Sequence, residues 1–210
     1  MPDFLPLDAA IMDIDKIVET FNNRGFKASY FDDADIALEF LSSQIDGTTV
    51  GMGGSMTMKE LGIFELLSKT NKVYSHADSP EPNVFELAQN AETYLTSANA
   101  VSASGEIVNI DGKGNRVSSS VFGINRKRLF VICGTNKITE DLSSAIWRAK
   151  NIAAPMNARR LHRKTPCAVK ADKCYDCNSP ERICRVTAIH TRPMFNVETH
   201  LVLIKGNYGY

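Results

Sequence analysis

The chain has no surplus of charge: its 24 Lys and Arg residues are matched by 24 Asp and Glu residues. Without an excess of positive potential there is nothing to hold a polyanion, and nucleic acid is not expected as its partner. Long apolar runs are missing as well. The longest, such as Leu201–Ile204, fall far short of the ~20 residues that a membrane-spanning helix needs, so no membrane contact is expected. The opening stretch MPDFLPLDAAIMDID carries acidic residues and no basic segment ahead of an apolar run, unlike a secretory leader. The reading is a cytoplasmic protein. Neither G-x-G-x-x-G nor G-x-x-x-x-G-K-[ST] occurs, so no nucleotide cofactor is supported by a motif.

At 210 residues the chain suits one domain, with residues 1–45 as N-terminal helices, 46–160 as an α/β core, 161–190 as a Cys-rich segment and 191–210 as a C-terminal strand. Ile14, Ile17, Val18 and Phe21, then Ala34, Ala37, Leu38 and Leu41, repeat at the spacing of one helix face. Gly25 separates these two predicted helices. Thr48–Val50 reads as a strand, followed by Gly51-Met52-Gly53-Gly54-Ser55 and a helical pattern at Met58, Leu61, Phe64 and Leu67. Val73–Ser75 and Thr93–Ser97 read as short buried strands around a helix over Val84–Ala91. This βαβ rhythm predicts an α/β fold with a mostly parallel sheet.

Asp111-Gly112 between two strand-like pieces predicts a hairpin over 105–117, making the sheet mixed. Leu129–Cys133 suits a central strand. Beyond it Ile138, Leu142, Ala145, Ile146, Ala149 and Ile152 form a helix face, with Thr139 as N-cap and Pro155 as the stop. Strands are predicted again at Arg185–His190 and His200–Lys205. Trp147 suits either the core or a contact with a second copy, which leaves homo-oligomerisation open.

Three features carry chemistry. A strand, then glycines and a hydroxyl residue at a helix start, turns backbone N–H groups toward one point, where the helix dipole favours an anion. Gly53, Gly54, Ser55 and Thr57 are therefore candidates to hold a phosphate, carboxylate or pyrophosphate, the alternative being a tight structural turn. Lys137, between an apolar strand and a helix, is placed either to hold an anion or to face solvent. Five cysteines in a chain without an export signal are expected as thiols or metal ligands, because the cytosol keeps thiols reduced. Cys133 lies in the apolar strand and reads as packing. Cys167, Cys174, Cys177 and Cys184 fall as C-x6-C-x2-C-x6-C, whose central C-x-x-C suits zinc or an iron–sulphur cluster. Reduced thiols, or a redox pair of Cys174 and Cys177, are the alternatives. His162 and His190 flank the segment as replacement ligands or structural histidines.

Several stretches together resemble a known family. Thr96-Ser97-Ala98-Asn99-Ala100 with Ser104-Gly105-Glu106-Ile107-Val108-Asn109 resembles the segment that follows the switch point of the sheet in sugar-phosphate isomerases and related initiation-factor-like proteins. GMGGSMTMKELGIFELL, NRKRLFVICGTNK, AAPMNARRL and TPCAVKADKCYDCNSPERICRV are similar to segments of the LUD-domain lactate-utilisation family, over about residues 48–190. The resemblance implies the three-layer α/β/α fold of ribose-5-phosphate isomerase and CoA transferases. It also implies association with oxidation of L-lactate to pyruvate alongside iron–sulphur partner subunits, with a small anionic metabolite as ligand. On such a fold the ligand sits at the carboxyl ends of the strands, where Gly53–Thr57, Ser97, Asn99 and Glu106 are expected to converge. Glu106 is there the candidate base or nucleophile of a stand-alone isomerase or acyl-CoA transferase, or else a hairpin surface residue. A metal or redox sensor built on the four cysteines is the third reading.

Overall fold

The computed structural model describes residues 13–210. Residues 1–12, most of the stretch read as unlike a leader, lie outside the described residues. Strands β1 (Lys27–Phe31), β2 (Thr49–Met52), β3 (Lys72–Ser75), β4 (Thr93–Thr96), β7 (Arg128–Gly134) and β10 (Glu198–Ile204) form a six-stranded sheet in the order β1-β10-β7-β4-β2-β3. Every pair in it is parallel. A second sheet, ordered β8-β5-β6-β9, contains β5 (Ala100–Ser102), β6 (Ile107–Asp111), β8 (Ile138–Thr139) and β9 (Val186–His190). The fold is thus α/β with a mostly parallel sheet, as read from the pattern of elements.

Successive side chains of a strand point to opposite faces, and the central strands, apolar on both, feed two cores. Phe130, Ile132, Val202 and Ile204 pack under α2 (Ala34–Gln44), α3 (Met56–Glu60) and α4 (Ile63–Leu67). Leu129, Val131, Cys133, Leu201 and Leu203 pack on the other side against Ile17 and Phe21 of α1 (Ile14–Asn23) and against Val101, Ile107 and Ile138 of the second sheet. Helices α5 (Val84–Asn90) and α6 (Asn115–Val121) follow along β2 and β4. The approach of α5 is so close that a Cβ on Gly51 would lie 2.1 Å from the Ala88 carbonyl oxygen.

Several elements differ from the sequence reading. The N-terminal 45 residues are not helices alone: β1 lies between α1 and α2 and, like β10, belongs to the main sheet. The helix after the glycine loop is broken into α3 and α4 at Gly62, which is left-handed at φ 62°. No hairpin turns at Asp111-Gly112. Asp111 instead accepts the N–H groups of Lys113 (3.2 Å), Arg116 (2.9 Å) and Val117 (3.1 Å), starting α6. The hairpin joins β5 and β6 through residues 103–106, in the second sheet, so the main sheet is not mixed. Thr139 is in β8, and Asp141 caps α7 (Leu142–Arg148) by accepting from Ser144 N–H at 2.7 Å.

Pro155 does not stop the chain's helical path. A π-turn over Ala149–Ala153 joins α7 to α8 (Ala154–Arg160), its Ala154 N–H reaching back to the Ala149 carbonyl. Pro155 therefore falls in the first turn of α8, where its missing N–H costs nothing. The Cys-rich segment then runs through α9 (Pro166–Lys170) and an irregular stretch to β9.

Candidate functional site

In a parallel sheet all strands end on one side, so the loops after β2, β4 and β7 meet. They deliver Gly53–Thr57, Ser97 and Lys137. Lys137 is only 3% exposed, and its ammonium donates to Thr57 Oγ1 (2.7 Å) and Ser97 Oγ (2.9 Å). The Thr57 hydroxyl donates onward to the Tyr208 carbonyl at 2.9 Å, in the segment that follows β10. Burial is the main cause that brings the Lys137 ammonium down to about 8; Cys133 and Glu60 act against that shift, and the Arg148 and Arg116 guanidiniums act with it.

Arg148 is itself 4% exposed. It donates to the Asn136 carbonyl (3.1 Å) and the Asn99 carbonyl (2.5 Å), holding both site loops. Burial lowers it to about 10. Among the described residues neither Lys137 nor Arg148 makes an ion pair. Two charges taken from water without a carboxylate are costly unless an anion joins them.

An inner chamber of about 40 Å³ is lined by Gly54, Ser55, Thr57, Ser97, Asn99 and Lys137, with Arg116, Asn157, Arg160 and Tyr210 also on its wall. Against the ~30 Å³ that one water occupies in the liquid, it has room for little more than one compact polar group. Asn99 grips β6 through its side-chain oxygen, which accepts from Ile110 N–H at 2.7 Å. Its NH2 is the group it can offer the chamber.

The glycine loop is at the site, but not for the reason its pattern suggests. The helix it opens, α3, has five residues and contributes little dipole. Positive potential comes instead from Lys137, Arg148 and Arg116. Ser55 Oγ caps α3 by accepting from Met58 N–H at 3.4 Å, which leaves its own proton to donate. A Cβ on Gly53 would collide with Arg116 and Tyr94, at 2.6 and 2.7 Å, whereas one on Gly54 would meet nothing within 4 Å. Gly53 therefore serves packing, and Gly54 faces the cavity.

The sequence matches the LUD domain family over residues 14–204. The chain belongs to the LUD domain family. That family is associated with lactate utilisation. No curated protein matches. Among solved structures the LUD chain is similar to a DUF162 family protein from Deinococcus radiodurans, at 10% identity and a TM-score of 0.46, covering 93% of this chain and 99% of that one. It is also similar to eIF2B delta from Chaetomium thermophilum, at 13% identity and a TM-score of 0.34, covering 63% and 55%.

In this LUD domain Glu106 does not join the cavity. It lies in the β5–β6 turn, where Oε1 pairs with Arg24 at 3.0 Å and Oε2 accepts from Ser104 Oγ at 2.6 Å. Both oxygens are occupied in tying α1 to the second sheet. Glu106→Gln is expected to leave anion binding unchanged and to lower stability by about 1–2 kcal/mol, checked by calorimetric titration beside thermal melts.

The four clustered cysteines of the LUD chain are free thiols. Cys167 is on α9 beside Thr165 Oγ1 (3.3 Å), Cys174 Sγ accepts from Asp176 N–H (3.4 Å), and Cys184 packs against the core of the second sheet. Among the described residues no three Cys, His, Asp or Glu side chains come together as a metal-binding group. Arg182 holds the segment, donating to the carbonyls of Cys177 and Cys184 at 2.8 and 2.9 Å. His162 is exposed, and His190 is buried in β9 with both ring nitrogens unpartnered. Among the described residues no helix is long and apolar enough to cross a membrane.

The sequence reading missed Arg116, Arg148, Asn157 and Arg160. Arg148 had a visible signal, a charge between Ala145 and Ala149 on the apolar face of α7. Arg116 was hidden by the hairpin expected around it.

Proposed function

We propose that this LUD domain is a small-anion-binding component of lactate utilisation, acting in the oxidation of L-lactate to pyruvate beside iron–sulphur partner subunits, with its ligand seated at Lys137, Thr57 and Ser97. One observation carries the reading of the site: two buried cations, Lys137 and Arg148, stand at the carboxyl ends of the strands without an ion-pair partner among the described residues. A carboxylate or phosphoryl oxygen in the chamber would take the third ammonium proton and offset the cost of burying both charges. Family membership supports the metabolic setting. Glu106, engaged by Arg24 and Ser104, gives the isomerase and acyl-CoA transferase readings no free carboxylate to work with.

The test is calorimetric titration with pyruvate and L-lactate, which stay fully ionised over the range of interest. Lys137, at about 8 in the free protein, must be protonated to pair with the anion. Affinity is therefore expected to be flat below pH 8 and to fall up to about tenfold per pH unit above it, with one proton taken up on binding. Absence of binding by both anions, with no response to pH, would overturn the reading.

A further inference from the structure

Beside the inner chamber lies a larger one of about 510 Å³, within the ~300–1,000 Å³ of small-molecule sites. Gly54, Asn99, Arg116, Asn157 and Arg160 line both, so the two adjoin. A chain of zero net charge here places Lys113, Arg116, Arg160, Arg163, Arg182 and Arg185 around one space, against Asp111 and Glu181 alone.

The hydrogen bonds separate the structural cations from the others. Arg182 pairs with Asp176, and Arg185 donates to the Pro180 and Arg182 carbonyls. Arg116 donates to the Ile110 carbonyl and lies 3.9 Å from Asp111. The two acids are also hydrogen-bonded to main chain. Asp111 accepts three backbone N–H groups, and Glu181 accepts from Lys164 N–H. Lys113, Arg160 and Arg163 remain. Arg160 is held only by the neutral Asn157 side chain, at 3.1 and 2.8 Å, and Lys113 rests over the Phe85 ring at 5.5 Å. Among the described residues none of the three makes an ion pair. They come from two separate segments, the β6–α6 loop and the end of α8, brought to one chamber.

We infer that the outer chamber is a second anion subsite, so that the whole cleft takes a phosphorylated metabolite with two separated negative groups. One group is held at Lys137, Thr57 and Ser97, the other at Lys113, Arg160 and Arg163. Such a ligand is larger and more highly charged than lactate. Cations with no carboxylate partner, converging on a concave surface, focus the field on a polyanion, and guanidinium forks match phosphoryl oxygens. This inference rests on the inner chamber being an anion site, and the experiment separates the two.

Full-length protein is titrated at pH 7 with inorganic phosphate and with tripolyphosphate, an inert probe that carries three linked phosphoryl groups. Tripolyphosphate is expected to bind at least about tenfold more tightly than phosphate, the value of one good charge-assisted contact. The exposed pair Lys113→Ala with Arg163→Ala is expected to remove that advantage while leaving phosphate affinity within about twofold. A control pair, Lys69→Ala with Lys72→Ala, is expected to leave both affinities unchanged. Equal affinity of the two probes, or an advantage that survives in the Lys113 and Arg163 variant or is lost equally in the control, overturns the second subsite. If phosphate itself fails to bind, or binds equally well to Lys137→Met, the inner anion site is what falls.

Discussion

Replacing Lys137 by methionine is expected to make the ligand-free protein more stable while abolishing anion binding. The ammonium is held down from 10.5 to about 8 by burial, and that shift corresponds to roughly 3 kcal/mol of destabilisation in the protonated form. Losing the bonds to Thr57 and Ser97 returns about 1 kcal/mol of it. A net gain of about 1–2 kcal/mol is expected, a rise of roughly 3–6 °C in Tm. The sign follows from linkage. Below pH 8 the folded and unfolded chains are both protonated at this lysine, and the folded state bears the full cost. Between 8 and 10.5 the folded state has lost its proton and the unfolded state has not, so stability rises with pH. The wild type should therefore become more stable across this window and the variant should not, a contrast that paired melts at pH 7 and pH 9.5 would reveal. A site whose removal stabilises the fold is one kept for a ligand; a destabilised variant would make Lys137 a structural residue.

Gly51→Ala is expected to have the opposite effect, and a larger one. The new Cβ would lie 2.1 Å from the Ala88 carbonyl oxygen and 3.0 Å from the Ala88 Cα, so α5 would have to move off the sheet. Both atoms are main chain and neither can swing aside. Overpacking against backbone on this scale costs about 3 kcal/mol or more, a fall of roughly 6–12 °C in Tm. Gly54→Ala, three positions on, meets open space and is the matched comparison. Equal melting temperatures for the two variants would show that α5 does not approach β2 as described.

The central strands were legible because their chemistry is unambiguous. Leu129–Cys133 and His200–Ile204 are apolar on both faces, the mark of strands covered on two sides. β1 was not, because Lys27–Phe31 is an edge strand with no fully buried position and Gly25 already explained the gap between helices. Asp111-Gly112 misled because the same dipeptide that turns a hairpin can start a helix, when the carboxylate finds N–H groups ahead of it. Pro155 misled because a single wide turn absorbs it, and no local pattern announces a π-turn.

The candidate site was legible at Gly54, Thr57, Ser97, Asn99 and Lys137, each next to a strand end that could be read. The arginines were not, since a charge in a helix reads as solvated unless its neighbours are known to be buried. The four cysteines lie along a segment whose backbone is held by Arg182, and their spacing in sequence does not by itself say which thiols meet.

The place of β10 in the main sheet bears on how the protein is made. It lies between β1 and β7, pairing Lys27 with His200 and Glu198 with Arg128. Among the described residues β1 has no other strand neighbour in the sheet, so it waits for a partner some 170 positions later in the chain. On the ribosome, β1 can be satisfied only after the intervening residues up to β10 have emerged. Contacts of such long sequence separation fold slowly and leave an unpaired edge exposed meanwhile. β10 also leads directly into Tyr208, whose carbonyl receives the Thr57 hydroxyl, so one segment contributes to both the sheet and the pocket.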